Sequence, residues 1–143
     1  MLLVHGTTVE IAGQAVLIRG PSGSGKSDLA LRLIDGGAQL VADDQTELSP
    51  RDGRLVASAP AALAGMIEAR GLGILRLPHR AWAPVLLVAD LVAETEIERM
   101  PELDFAHFLG HCVRRVALAP FQASAVAKVR LAMLSATRDI MQT

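Results

Sequence analysis

Apolar and polar positions change period twice within the first 44 residues. The segments TTVEIAG and AVLIRG read as two short strands joined by a tight turn at Gly13-Gln14. After a glycine-rich stretch, KSDLALRLIDGG has apolar residues at helical spacing and ends in two glycines, which predicts an amphipathic helix with a glycine C-cap. AQLVADD then reads as a buried strand whose apolar run stops at two carboxylates.

The rest of the chain continues this mixture of strands and helix. TELSPRDGRLVASA predicts two short strands around a turn at Asp52-Gly53, APVLLVADL a further strand and RRVALAP a shorter one. Residues 122–142 have helical periodicity and predict a packing helix. The early hairpin and the strand-loop-helix-strand unit, which favours a parallel crossover, predict one α/β domain over residues 1–143, with a mixed β-sheet flanked by helices.

Composition limits the classes of function. With 143 residues and 51% apolar side chains, the chain can bury a core without disulfides or structural metal. Lys and Arg number 14 against 15 Asp and Glu, which argues against a broad surface for nucleic acid or anionic lipid. The lone Cys112 fits a reducing compartment, and no segment reads as a secretory signal or a membrane span. We therefore expect a cytoplasmic protein without nucleic-acid or membrane partners.

The stretch GPSGSGKS meets the pattern G-x-x-x-x-G-K-[ST], between a predicted strand and a predicted helix. Glycines let successive backbone N–H groups point at phosphate oxygens, and the helix N-terminus adds positive potential. Lys26 would then reach the β- and γ-phosphates, and the Ser27 hydroxyl would bind Mg²⁺. The alternative is a flexible turn with a solvated lysine, which the flanking elements disfavour. The predicted nucleotide-binding residues are Gly20, Pro21, Ser22, Gly23, Ser24, Gly25, Lys26 and Ser27.

Asp43 and Asp44 end the next predicted strand, at the sheet edge where a ligand in this loop would also lie. Neighbouring side chains of an extended chain point to opposite faces, so only one of the pair should aim at the phosphates unless the chain bends. The other would serve the metal through water or cap a turn. A hydrolase could use the same pair. The motifs together indicate a nucleotide and a metal but not the acceptor.

At this point the chain resembles the catalytic domain of the HPr kinase/phosphorylase enzymes, which phosphorylate a serine of the phosphocarrier protein HPr. Four segments carry the resemblance in order: HGTTVEIAGQAVLIRG, GPSGSGKSDLAL, LVADD and IEARGLGIL. The last is the most specific, since general P-loop proteins lack it. The resemblance implies a fold of the HPr kinase/phosphoenolpyruvate carboxykinase type. Because the family's usual N-terminal domain has no counterpart here, we expect a short form.

The resemblance also implies roles for particular residues. It assigns ATP to the glycine-rich loop, Mg²⁺ to Ser27 and Glu68, and proton transfer to Asp44, beside Asp43. Each further position has a plainer explanation. His5 would lie near that carboxylate, or is a strand-end histidine; Glu68 is a metal ligand, or pairs with Arg70 at the surface. The implied catalytic residues are His5, Lys26, Asp43, Asp44 and, by a looser alignment, Arg99, which otherwise is a solvated turn residue.

One departure from the family pattern concerns the reverse reaction. Members usually carry a Pro-Gly-Arg-Asn type stretch, associated with dephosphorylation, where this chain has Pro120 followed by Phe121 and Gln122. Glutamine cannot replace the charge of a bidentate guanidinium, which puts the phosphorylase activity in doubt. The family further implies an HPr-like partner and a homo-oligomer, a hexamer. Two rivals stay open: a small-molecule kinase and a non-catalytic nucleotide-binding module.

Overall fold

The computed structural model describes the backbone of residues 1–138 and side chains as far as residue 136. The helices are α1 (Lys26–Asp35) and α2 (Ala125–Arg138), with short 3₁₀ turns at Ala61–Leu63 and Glu94–Glu96. The strands are β1 (Leu2–His5), β2 (Thr7–Ile11), β3 (Gln14–Arg19), β4 (Gln39–Ala42), β5 (Gln45–Arg51), β6 (Arg54–Ser58), β7 (Met66–Ala69), β8 (Gly73–Arg76), β9 (Trp82–Leu91), β10 (Asp104–Phe108) and β11 (His111–Leu118).

A mixed sheet organises the described residues around β9. Its main path runs β1-β5-β6-β9-β3-β2-β4, and β10 and β11 join through a second pairing of β9. The first residues of β9 pair antiparallel with β6, and its later residues pair parallel with β11. β9 therefore pairs with β6 and then with β11 along the same edge, and the sheet curls there. The small hairpin of β7 and β8 is separate.

The predicted hairpin and helix are present, and the predicted mixed α/β fold is confirmed. β2 and β3 pair antiparallel with Ile11 opposite Gln14, so the turn is Ala12-Gly13 rather than Gly13-Gln14. Both turn residues have positive φ, 52° and 86°, as a two-residue hairpin turn requires. α1 ends at Asp35, and the N–H of the C-cap residue Gly36 bonds back to the last turn.

The connection from β3 through α1 to β4 is a parallel crossover, but its two strands are not neighbours in the sheet. β4 does run in the same direction as β3, but β2 lies between them and pairs antiparallel with both. Because β3 and β4 are parallel, their carboxyl ends meet at one sheet edge. The glycine-rich loop leaves β3 at this edge, and Asp43 follows β4 there.

The core has two parts because successive residues of β3 point to opposite faces. Val16 and Ile18 pack under both helices, together with Leu33 and Val129. On the other face, the fully buried Leu17 belongs to a second cluster that includes side chains of β5, β6, β10 and β11. Burial on both sides fixes the register of β3, and so the starting point of the loop that follows it.

Some elements were not expected from the sequence pattern. β1 and β10 are short strands in which polar and apolar residues mix, and β11 begins at His111, earlier than the predicted strand at residue 114. The predicted tail helix corresponds to α2, and its last predicted residues, 139–142, lie outside the described residues. Neither α1 nor the described part of α2 is both long and apolar enough to span a membrane.

Candidate active site

The glycine-rich loop occupies the connection between β3 and α1. Gly23 and Gly25 have φ of 81° and 102°, in the region that favours glycine. Gly25 is the N-cap of α1, and as a glycine it has no side chain that could cap the first N–H groups of the helix. The first N–H groups of α1 therefore keep their capacity to bind an anion.

Two polar side chains turn into the loop. Lys26 is only 6% exposed, and its Nζ donates hydrogen bonds to the carbonyl oxygens of Gly20, at 2.8 Å, and Pro21, at 3.1 Å. Ser24 Oγ is buried and has no hydrogen-bond partner among the described residues. A buried ammonium, an unpartnered hydroxyl and an uncapped helix N-terminus are the groups that a polyphosphate chain satisfies, so the loop fits one.

Asp43 connects this loop to the rest of the site. Its Oδ1 accepts hydrogen bonds from Ser27 Oγ at 2.7 Å and from Thr7 Oγ1 at 3.0 Å. Its Oδ2 accepts one from the backbone N–H of Glu68 at 3.0 Å. The half-buried carboxylate is therefore held by α1, β2 and β7 together.

The same group of oxygens suits a small hard cation. Mg²⁺ prefers oxygen ligands and commonly takes one or two protein groups together with water and substrate phosphates. Ser27 and Asp43 supply a hydroxyl and a carboxylate oxygen already in contact. Among the residues described, no three His, Cys, Asp or Glu side chains gather as a metal site. The donors present thus fit a cation shared with phosphate.

Asp44 leaves the strand direction and meets a different partner. Its φ of 66° is left-handed, and its carbonyl accepts the Gly6 N–H at 2.9 Å, which stabilises the bend. Its Oδ1 lies 3.1 Å from His5 Nε2. The two side chains are 67% and 48% exposed, for Asp44 and His5 respectively. The bend allows Asp43 to contact Ser27 and Asp44 to contact His5, which a straight strand would not.

Thr7 is a site residue that sequence reasoning missed. Its buried Oγ1 donates to Asp43 and accepts the backbone N–H of Asp44 at 3.2 Å, so one hydroxyl positions both aspartates. Nothing in the sequence distinguishes this threonine from the many that are enriched in strands. Its role comes from the neighbouring positions of β2 and β4 in the sheet.

The two remaining candidates from the sequence, Glu68 and Arg99, make fewer contacts with the site. Glu68 contributes its backbone N–H to Asp43, while its side chain is exposed. Arg99 lies exposed in the connection between Glu94–Glu96 and β10 and, among the described residues, makes no hydrogen bond or ion pair. The structure therefore brings together the loop, Asp43, Asp44 and His5, with Glu68 beside them and Arg99 outside the contact network.

A charged network lies at the base of the loop. Asp90, at the end of β9, accepts two hydrogen bonds from Arg19, of 2.8 and 2.9 Å, and one from Arg115 at 2.6 Å. Burial raises the pKa of Asp90, but the hydrogen bonds and charges of both arginines outweigh it, and the pKa lies below the ordinary value of 3.8. Since Arg19 immediately precedes Gly20, this network fixes the strand end from which the loop departs.

Comparison with known proteins identifies the family. The protein-family model described as the HPr Serine kinase C-terminal domain matches residues 1–80, which is more than half of the chain. The chain belongs to the HPr serine kinase C-terminal domain family. The match contains the glycine-rich loop, both aspartates and Glu68, so the resemblance suggested by the four sequence segments is confirmed.

Individual relatives extend the match within this HPr serine kinase family. An HPr kinase/phosphorylase of Clostridium tetani is 47% identical over 75 residues, 52% of this chain and 25% of its own length. One of Bordetella petrii is 40% identical over 127 residues, 80% of this chain and 41% of its own length. The chain thus spans between about a quarter and two fifths of the length of these relatives.

A solved structure shares the fold over nearly the whole chain. The Hpr(Ser) kinase/phosphatase from Coxiella burnetii superimposes with a TM-score of 0.84 at 25% sequence identity. The match covers 99% of this chain and 93% of that one. Residues 81–138, which lie beyond the family-model match, therefore also adopt the fold of an HPr kinase.

Proposed function

We propose that residues 1–143 are one catalytic domain of an ATP- and Mg²⁺-dependent protein serine kinase whose acceptor is an HPr-like phosphocarrier protein. The observation that carries this proposal is that the two adjacent aspartates differ in partners and in exposure. Asp43 is half-buried and bonded to the loop serine, whereas Asp44 is exposed and paired with His5. Relatives named HPr kinase/phosphorylase support the choice of acceptor.

The loop binds the ATP phosphates. Lys26 Nζ, which bonds Gly20 and Pro21 in the free protein, exchanges those carbonyls for phosphate oxygens. Ser27 and Asp43 would hold Mg²⁺, and Glu68 would be a further ligand. Bound Mg²⁺ supplies positive charge that offsets the charge of the transferring phosphoryl group. Thr7 keeps Asp43 in place through its hydrogen bond.

Asp44 acts as the general base in this proposal. Both carboxylate oxygens of Asp43 accept hydrogen bonds from neighbouring groups, whereas the Asp44 side chain is 67% exposed, where the serine of another protein can reach it. His5 orients the carboxylate through its Nε2. The acceptor hydroxyl loses its proton to Asp44 as its oxygen bonds to the γ-phosphorus and the bond to the β-phosphate oxygen breaks.

The contacts of Arg115 and the exposure of Asp44 argue against the alternative of a small-molecule kinase. Such an enzyme needs a lid and a cluster of arginines that bind its substrate, and the adjacent arginines of this chain are Arg114 and Arg115. Arg115 instead bonds Asp90 and Asp104, so it is engaged within the domain. An exposed base also suits a bulky acceptor better than a small molecule that must be shielded from water. These observations favour a protein acceptor.

The reverse, phosphorylase reaction receives no support from the segment that departs from the family pattern. Gln122, which stands where members usually carry arginine, accepts a hydrogen bond from Lys128 Nζ at 2.9 Å. We therefore assign the forward reaction only. We also propose a cytoplasmic homo-oligomer, a hexamer by family resemblance; light scattering of the purified protein tests the oligomeric state.

The test is transfer of label from [γ-³²P]ATP to HPr. We expect label on wild-type HPr, loss of label when the acceptor serine of HPr is changed to alanine, and no transfer by the Lys26→Met enzyme. Label on a small molecule instead would establish the kinase of the first alternative. ATP binding without transfer to any acceptor would leave the non-catalytic module as the function.

A further inference from the structure

A second concave surface lies directly beside the glycine-rich loop. It has a volume of about 560 Å³, within the range of about 300–1,000 Å³ that small-molecule sites occupy. The cleft contacts the loop at Pro21 and Ser24, so it is continuous with the phosphate site. Its other walls come from the end of β9 and from the segment before α2, including Leu91, Ala93, Phe121 and Gln122.

Phe121 gives this cleft an exposed aromatic wall. The side chain is 73% exposed, although phenylalanine is normally buried. Its ring edge lies against the loop: a Cβ placed on Gly25 would be 2.8 Å from the ring Cζ. The ring is therefore held beside the N-terminus of α1, but most of its surface has no protein partner.

The position of this ring is set by the backbone rather than by burial. Arg32, on α1, donates a hydrogen bond to the carbonyl oxygen of Pro120, immediately before Phe121. Arg32 is itself fixed by Asp28, one turn earlier, at 3.1 Å. Helix and aromatic segment are thus tied together, and the exposed ring is pre-positioned relative to the loop.

Charge decides which part of a nucleotide the cleft accepts. Glu94 and Glu96 line it on the side of β9, and carboxylates there repel a polyphosphate chain. The buried ammonium of Lys26 attracts that chain toward the interior of the loop instead. An uncharged heterocycle and a ribose, whose hydroxyls are donors, suit a largely apolar cleft with a carboxylate rim.

We propose that this cleft binds the base and ribose of the nucleotide, with the purine ring stacked on Phe121. The inference rests on the proposed function, since it places the rest of the nucleotide whose phosphates occupy the loop. Stacking of a base on an aromatic side chain needs an exposed ring face within reach of the phosphate site, which Phe121 supplies.

The experiment compares two magnesium-bound probes, ATP and inorganic tripolyphosphate, by isothermal titration calorimetry. The proteins are the wild type, Phe121→Ala, Phe121→Trp and Phe105→Ala. Phe105 is a matched control because it is also an exposed phenylalanine, 44% accessible, on β10 and outside the cleft. Far-UV circular dichroism checks that each variant is folded.

We expect the wild type to bind ATP at least tenfold more tightly than tripolyphosphate. Phe121→Ala should weaken ATP binding about tenfold, because the base loses its stacking partner, and should change tripolyphosphate binding less than about twofold. Phe121→Trp should keep the ATP affinity, and Phe105→Ala should match the wild type.

Other results overturn the inference. If Phe121→Ala bound ATP and tripolyphosphate equally more weakly than the wild type, Phe121 would act only on the loop. If its ATP affinity were unchanged, the ring would contact no base. Equal affinity of the wild type for ATP and tripolyphosphate would leave the cleft without a nucleotide role while the loop keeps its own. A wild type that binds neither probe would overturn the proposed function as well.

Discussion

His5 Nε2 and Asp44 Oδ1 lie 3.1 Å apart at the surface of the domain. The pairing of β1 with β5 brings them together, because it sets His5 opposite Gln45, the residue after Asp44. The left-handed conformation of Asp44 then turns its side chain out of the strand direction. A surface carboxylate with one fixed partner is the group to which we assign proton transfer.

Replacing Asp44 with asparagine should slow phosphoryl transfer severely without preventing ATP binding. The amide keeps the shape of the side chain but cannot take a proton, so we expect transfer to HPr to slow by about 10²–10⁴-fold. Asp52→Asn is the matched control, since Asp52 is also an exposed aspartate with positive φ, 51°, in a remote turn. Transfer from [γ-³²P]ATP and calorimetric ATP affinity are the measurements. A normal rate in Asp44→Asn would remove this residue from its assigned role.

Replacing Asp43 with asparagine should change the magnesium requirement instead. Asp43 contacts Ser27 directly, and loss of its charge weakens any cation shared with the phosphates. We expect the Mg²⁺ concentration for half-maximal ATP binding to rise at least about tenfold, with little change in metal-free nucleotide binding. Asp44→Asn serves as the control and should show the wild-type Mg²⁺ dependence. The same dependence in both variants would contradict the separation of roles between the two aspartates.

Gly25→Ala should destabilise the protein more than Gly13→Ala. Both glycines have positive φ, 102° and 86°, so both substitutions carry a backbone cost of about 1–2 kcal/mol. Only at Gly25 does the new methyl group meet another side chain, Phe121, whereas nothing lies within 4 Å at Gly13. We expect an additional loss of about 1 kcal/mol in the free energy of unfolding, measured in urea. Adding Phe121→Ala to Gly25→Ala should restore this additional loss of unfolding free energy. If it does not, the Phe121 ring moves away from the new methyl group without an energetic cost.

Asp90→Asn should lower the free energy of unfolding by about 2 kcal/mol at pH 7, because the hydrogen bonds from Arg19 and Arg115 lose their charged acceptor. The pKa of Asp90 is lowered on folding, so its contribution is complete above the ordinary value of 3.8, and is lost as pH falls through the folded pKa. The difference between variant and wild type should therefore shrink below about pH 4.

The control for this prediction is Asp104→Asn. Asp104 also bonds Arg115, at 2.9 Å, but its side chain is 59% exposed, so we expect a loss of less than about 1 kcal/mol. Urea unfolding at pH 7 and pH 3 measures both variants. An Asp90→Asn deficit that persists unchanged at pH 3 would show that shape, and not charge, accounts for the loss.

The sequence by itself determined the glycine-rich loop, the helix that follows it and the placement of two aspartates at the end of the next strand. These features depend on local rules: a strand period, a helix period and a glycine where φ is positive. The family was also evident from four short segments, because their residues and order are specific. Tertiary structure was not needed for any of these conclusions.

Only the tertiary structure decided how the two aspartates differ. Asp43 and Asp44 are neighbours of the same residue type, and their separation into a loop-bound and a surface carboxylate comes from partners 36 and 39 residues away, Thr7 and His5. The exposed position of Phe121 beside Gly25 has the same kind of origin. A sequence pattern reports the conformation of nearby residues, whereas these contacts depend on which strands become neighbours in the sheet, and that is set by packing of the whole domain.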